Sequence, residues 1–216
     1  DLSRPTTLKQ RFRSKEQSLL RVSHLHQSGI SSILQNKIYK KVFSLLKDID
    51  VLIFSDFNYG CLPDGFIKRA IETCLHKKIR FYADSQASSQ IGDISRYSQA
   101  DLLSATEREV RLAVNDFKFG LQNVSNILLE KSKSKNLIVK LGAEGLIVLT
   151  SSPRFKSFSL PAMNYNPVDV AGAGDALLAT AVLSRGARAT ISESRYLGAV
   201  GAGVQVSRIG NLPMLQ

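Results

Sequence analysis

Tryptophan is absent from this 216-residue chain, cysteine and methionine occur twice each, and histidine occurs three times. Cys61 and Cys74 are too few to staple a chain of this length or to build a metal-binding cluster, so they are expected to be unbonded, as in a reducing compartment. No stretch approaches the ~20 apolar residues that span a bilayer. The first thirty residues carry Arg4, Lys9, Arg11, Arg13, Lys15 and Arg21 without a signal-peptide apolar block, which predicts a cytoplasmic protein without membrane association. The chain contains no Gly-x-x-x-x-Gly-Lys-Ser/Thr loop, no Gly-x-Ser-x-Gly elbow and no His-Glu-x-x-His, which argues against P-loop, α/β-hydrolase and zincin chemistry. His24 and His26 share one side of an extended segment, but no third ligand cluster accompanies them, and they read as surface histidines.

What is present is basic and globular. The net charge is +11, and 44% of the residues are hydrophobic, enough for one α/β domain spanning residues 1–216. Such a charge suits a phosphate-bearing partner. Nucleic acid is disfavoured because the Lys and Arg residues are scattered over several helices and no Trp supplies a stacking platform.

Apolar spacing predicts an amphipathic helix from Ser31 to Asp48 with Ile33, Ile38, Val42, Leu45 and Leu46 inward, then a buried strand at Val51–Phe54. That strand delivers Asp56 and Asn58 to a loop. A helix at 64–78, with Leu75 in its inner stripe, and a strand at 79–84 extend the alternation. A strand beginning at Leu102 leads to Thr106, which can cap a helix, and a further helix covers 121–131. Leu137–Val139 and Leu146–Leu149 are strand cores joined by a short turn, Phe155–Leu160 supplies an edge strand, and helices occupy 176–184 and 192–206. A mostly parallel sheet with helices on both faces follows, with ligands expected beyond the carboxyl ends of its strands.

The most informative segment is Asp169-Val170-Ala171-Gly172-Ala173-Gly174-Asp175, which enters an apolar helix. Its small residues let backbone N–H groups approach an anion, and a helix amino terminus favours negative charge. Asp175 is then placed to orient or deprotonate an attacking hydroxyl. An aspartate that merely offsets the helix dipole explains the four residues Gly172–Asp175 as well.

At this segment the chain resembles the ribokinase (PfkB) carbohydrate kinases, whose signature Asp-x-x-Gly-Ala-Gly-Asp is matched by Asp169, Gly172, Ala173, Gly174 and Asp175. The resemblance covers essentially the whole chain. It implies a ribokinase-like three-layer α/β/α fold and ATP- and Mg²⁺-dependent phosphoryl transfer to a sugar or sugar phosphate. Asp175 would be the base, with an anion hole at Gly172–Gly174. Lys140-Leu141-Gly142-Ala143-Glu144-Gly145 resembles the family's nucleotide-side turn, so Lys140, Gly142 and Gly145 are implied in ATP binding. Thr106 and Glu109 stand at the family's Asn-x-x-Glu motif, with Glu109 implied at Mg²⁺ and Thr106 at the nucleotide. Their spacing is equally that of a capping box. Thr106 replaces Asn, and Ala171 stands where Thr or another small residue is usual.

Val200, Gly203 and Val204 are implied in the adenine pocket. Asp56, Asn58 and Asp169 are implied at the sugar, and Lys9 or Arg11 at a phosphate. Residues 4–9, 17–21 and 55–60 are most similar to the kinase portion of bacterial heptose-phosphate kinase/ADP-heptose synthase proteins. That likeness implies a heptose phosphate as substrate, and a homodimer or a nucleotidyltransferase partner as companions. It also implies that the chain lacks the family's amino-terminal part, leaving residues 1–30 as a remnant of lid or sugar-side strands. A sensor that binds nucleotide or sugar phosphate without turnover is the alternative on the same scaffold.

Overall fold

The computed structural model describes residues 4–14, 17–26, 28–87, 92–151, 156–210 and 213. Lys15 and Phe155, named above, lie outside these residues. Strands β1 (Leu8–Ser14) and β2 (Gln17–His24) form an antiparallel ribbon separate from the main sheet. The main sheet has the order β3 (Val51–Asp56), β4 (Arg80–Ser85), β5 (Leu102–Thr106), β6 (Asn136–Lys140), β7 (Leu146–Thr150) and β8 (Lys156–Leu160). Strands β3 to β6 run parallel, and β7 and β8 add antiparallel strands.

Helices cover both faces because the inner strands are apolar on both. From β4, Phe81 and Ala83 face one core and Tyr82 the other, and β5 and β6 divide in the same way. The first core packs against α1 (Ser32–Leu45), α2 (Asp64–His76), α3 (Glu107–Val114) and α4 (Leu121–Ser132). The second packs against α5 (Ala173–Gly186) and α6 (Ile191–Val206). This is the expected three-layer α/β/α arrangement.

Three local expectations are corrected. Ile33 is 82% exposed and Leu45 is also exposed, because α1 is an outer helix that leans on α2 mainly through Tyr39, Ile38 and Val42. Leu75 is exposed too, since the buried stripe of α2 runs through Phe66, Ile67, Ala70, Ile71 and Cys74. Helix α5 begins at Ala173 rather than Ala176: Gly172 takes the left-handed φ of 78° and starts the helix there, placing Gly174 and Asp175 in its first turn.

The direction of α5 sets the site. Near its carboxyl end, Arg185 donates to the buried Asp101 at the base of β5 at 3.1 Å. At its amino end, Gly174 lies against Lys140, the last residue of β6. The helix therefore runs back along the sheet and delivers Asp175 to the carboxyl ends of the parallel strands.

Candidate active site

The parallel register brings four strand ends into one row. Ser55 pairs with Asp84, Asp84 with Ser104, and Thr106 with Lys140. Lys140 Nζ donates to Asp84 Oδ2 at 2.5 Å, and Ser104 Oγ donates to the same oxygen at 3.2 Å. Asp84 is 3% exposed and its other oxygen, Oδ1, is buried without a hydrogen-bond partner. A buried carboxylate oxygen without a partner beside a cleft is an acceptor open to a hydrogen-bond donor of a ligand.

Next to this pair stands Asp175. Its side chain keeps contact with solvent, yet desolvation by the surrounding protein raises its pKa, and the charge of Asp84 raises it further; Lys140 and Lys9 act in the opposite sense. At the start of α5 the Ala173 amide donates to the Val170 carbonyl at 3.4 Å, while the Gly174 and Asp175 amides have no acceptor within the helix.

A cleft of about 620 Å³ opens here. Its lining includes Thr106, Glu109, Lys140, Gly142, Gly145, Ala173, Gly174 and Gly203 from the expected set. Helix α6 presents Ala199, Ala202, Gly203 and Val206 to it, the i, i+3, i+4, i+7 face. Val200 and Val204 are not on that wall, and Val204 is exposed. Met163 and Leu177 complete the apolar side, with the polar Asn164 beside them.

Thr106 and Glu109 form the capping box. Glu109 Oε2 accepts the Thr106 amide at 2.7 Å, and Thr106 Oγ1 accepts the Glu109 amide at 3.3 Å. Glu109 Oε1 accepts the Ala87 amide at 3.0 Å, so this carboxylate also ties down the segment after β4.

The residues expected at the sugar occupy two structural networks. Buried Asp56 pairs with Arg96 and accepts from Tyr97 Oη at 2.8 Å and from the Asn58 amide at 2.9 Å. Burial and the Asp56 carboxylate push the Tyr97 phenol up. Asn58 donates to the Gln86 carbonyl at 2.6 Å and to Ser85 Oγ at 2.9 Å, so it props the cleft-lining Gln86. Asp169 accepts from the Ala171 and Gly210 amides, both at 3.1 Å. On the ribbon, the Lys9 ammonium lies 4.7 Å from the Phe57 ring centroid and 4.9 Å from that of Tyr59, while Arg11 sits directly opposite Arg21.

Two residues escaped the sequence reading. Asp84 stands one residue before the carboxyl end of β4, as Asp56 stands at that of β3, and a carboxylate at a strand's carboxyl end is the signal that marks both. Arg21 lines the cleft from β2, and no local pattern marks it.

Residues 9–215 match the model of the pfkB family of carbohydrate kinases. The chain belongs to that family. Among relatives of this carbohydrate kinase family member are the bifunctional protein HldE of Pelobacter propionicus, 24% identical over 97% of the chain, and that of Sulfurimonas denitrificans, 28% identical over 96%. The chain spans less than half of each, 42% and 43% of their lengths. Solved structures with the same fold include phosphofructokinase-2 from Escherichia coli, with a TM-score of 0.74 at 14% identity, covering 89% of this chain and 62% of that one. Ribokinase from Giardia lamblia gives a TM-score of 0.72 at 17% identity, covering 96% of this chain and 67% of that one. The ribokinase-like fold expected from the signature is thereby shown. Among the described residues no helix is long and apolar enough to cross a membrane.

Proposed function

We propose that this pfkB-family chain transfers the γ-phosphoryl group of ATP to a hydroxyl of a sugar or sugar phosphate, with Asp175 as the general base. The observation that carries this is the position of Asp175 in the first turn of α5, beside a cleft-lining glycine and within the fields of Asp84, Lys140 and Lys9.

The raised pKa makes Asp175 a stronger base than a free carboxylate, while the two lysines favour its ionised form. As the acceptor oxygen forms its bond to phosphorus, its proton passes to the Asp175 carboxylate. The bond from phosphorus to the bridging oxygen of ATP breaks, and ADP leaves. The Gly174 amide and the positive end of α5 hold the charge on the transferring group, and the Ala173 amide joins them on leaving the Val170 carbonyl. ATP would lie between the turn at Gly142–Gly145 and the Ala199–Val206 face of α6, where glycine and alanine leave room for a flat base.

Mg²⁺ fits the residues present in a limited way. Magnesium is typically held by one or two carboxylates plus waters and phosphate oxygens. Each Glu109 oxygen has accepted one amide and keeps a second lone pair, so Glu109 would hold metal-bound waters rather than chelate the ion. Bound Mg²⁺ would neutralise charge on the nucleotide phosphates. Among the described residues no group of three or more potential ligands converges, so the phosphates must supply the rest.

The likeness at residues 4–9 and 55–60 makes a heptose phosphate the first acceptor to test, and a homodimer or a nucleotidyltransferase companion follows from the same likeness. Cytoplasmic residence is part of this reading. The engagement of both Glu109 oxygens by backbone favours a second reading, a sensor that binds nucleotide without turnover. Phosphorylation of hexoses, heptoses and their phosphates with ATP and Mg²⁺, by the chain and by Asp175→Asn, separates the two. The kinase reading requires turnover that falls by about 10²–10⁴ in the variant; nucleotide binding without turnover on any acceptor supports the sensor.

A further inference from the structure

Among the described residues no hydrogen bond or ion pair holds the Asp175 side chain, so its place beside the cleft is the place that α5 gives it. The helix has no side-chain cap at its amino end. Against the sheet it presents Leu177, Leu178 and Val182. Apolar burial is non-directional, so it holds a helix down more firmly than it fixes its position along its own axis. Of the described α5 side chains only Arg185 hydrogen-bonds beyond its own helix.

Arg185 reaches a fixed post. Asp101 is 4% exposed, its amide donates to the Phe81 carbonyl of β4 at 3.0 Å, and its carbonyl accepts Asn136 Nδ2 of β6 at 2.7 Å. Its carboxylate accepts Arg185 Nη2 at 3.1 Å on Oδ2 and Lys135 Nζ at 3.3 Å on Oδ1. The other arm of the guanidinium, Nη1, donates to the Ala189 carbonyl at 2.7 Å, in the turn that leads into α6. One side chain thus joins the sheet to both helices. The two helices also interlock: a Cβ at Gly198 would fall 2.9 Å from the Leu177 carbonyl oxygen, and one at Gly201 would overlap Thr180 Oγ1, so α6 follows a shift of α5.

From Arg185 to Asp175 is about 15 Å of helix, a rod that carries a displacement from one end to the other. Closer approach to the strand ends is blocked, since a Cβ at Gly174 would already lie 3.4 Å from Lys140 Nζ. Release at the Arg185 end therefore lets Asp175 recede from Asp84 and Lys140.

We propose that Arg185, held by Asp101, is a positioning residue that fixes α5 and α6 along the sheet and so sets the distance of Asp175 from Asp84 and Lys140. The effect on turnover rests on the reading of Asp175 as general base; the placement does not.

The test follows the titration of Asp175 in the full chain by carboxyl-carbon NMR, its signal assigned by its loss in Asp175→Asn, with and without Asp84→Asn. In an otherwise wild-type chain Asp84→Asn should lower the Asp175 titration, because the Asp84 charge raises it. In Arg185→Met that displacement should shrink, and in Arg185→Lys, whose ammonium keeps the charge and loses the fork, it should lie between. Because the displacement is a difference, the loss of the Arg185 charge itself cancels. Lys135→Met takes the other cation from Asp101 and leaves Arg185 in place, so it should match wild type. With ATP, Mg²⁺ and a sugar acceptor, kcat should fall about tenfold to a hundredfold in Arg185→Met and recover in part in Arg185→Lys, with the nucleotide KM little changed because α6 moves with α5. An equal displacement in wild type and Arg185→Met overturns the proposal, as does an equal displacement in wild type and Arg185→Lys should the methionine variant not fold. An equal reduction in Lys135→Met, or a reduced displacement with undiminished turnover, overturns it too. A reduced displacement in a chain that turns over no sugar leaves the placement standing and removes the kinase reading.

Discussion

Alanine at Gly145 is expected to cost about two to three times more stability than alanine at Gly142, three residues earlier in the same turn. Both glycines have positive φ, 95° and 63°. At Gly142 an added Cβ meets no atom within 4 Å, so only the left-handed backbone penalty applies, about 1–2 kcal/mol. Gly145, at φ 95° and ψ −125°, occupies a conformation open only to glycine, costing another residue about 1–3 kcal/mol. Its Cβ would also fall 2.5 Å from the Pro161 carbonyl carbon and closer still to Leu160 O. Those are backbone atoms, and displacing them adds about 1–3 kcal/mol. The total for Gly145→Ala is about 2–6 kcal/mol, against about 5–15 for a typical domain. Because Pro161 and Ala162 line the cleft, nucleotide affinity should fall with stability in Gly145→Ala and hold in Gly142→Ala. Urea denaturation with unchanged m values measures the first effect, and nucleotide titration the second. Equal destabilisation by the two substitutions would refute the steric argument.

Asp84→Asn removes a charge that raises the Asp175 pKa and frees Lys140, which lowers it, so the acid limb of the kcat/KM profile should move to lower pH; Lys140→Met should move it to higher pH. Because the Asp175 pKa is raised, the folded state holds this proton more tightly than the unfolded chain. Its contribution to stability is present at acid pH and lost as pH rises through the raised value, so Asp175→Asn should increase Tm above that window. Thr106→Ala and Thr190→Ala each remove a capping box and should each cost about 1 kcal/mol in denaturant melts, but only the first should weaken nucleotide binding, since Thr106 lines the cleft. Arg96→Met leaves buried Asp56 without its guanidinium and should cost about 3–5 kcal/mol, read as a fall in urea midpoint. Burial pushes the Cys74 thiol up to about 11 while Cys61 is exposed, so one of the two thiols should react with a thiol reagent in the native protein and both after denaturation.

The local parts of the site were legible in the chain. Gly172–Asp175 entering an apolar helix, the Thr106–Glu109 spacing and the Lys140–Gly145 turn are contiguous patterns, and each was found with its element. Phase errors were small in sequence and large in space. A helix turns about 100° per residue, so shifting the α6 face by one residue exchanged Ala199 and Ala202 for Val200 and Val204 as the cleft wall. Ile33 was drawn into the inner stripe of α1 by periodicity, which says which face is apolar but not how much of it a neighbour covers.

The sequence by itself determined the order and type of the elements, the capping box and the loop that carries Asp175, because these depend on backbone preferences and contacts a few residues apart. The tertiary structure decided that Asp84, 56 residues from Lys140, pairs with it, and that Arg96 and Tyr97 occupy the Asp56 carboxylate. It also decided that Arg21 reaches the cleft from a ribbon outside the main sheet. Those contacts follow from the register of parallel strands and from the direction in which α5 recrosses the sheet, and burial converts them into the charge balance around Asp175.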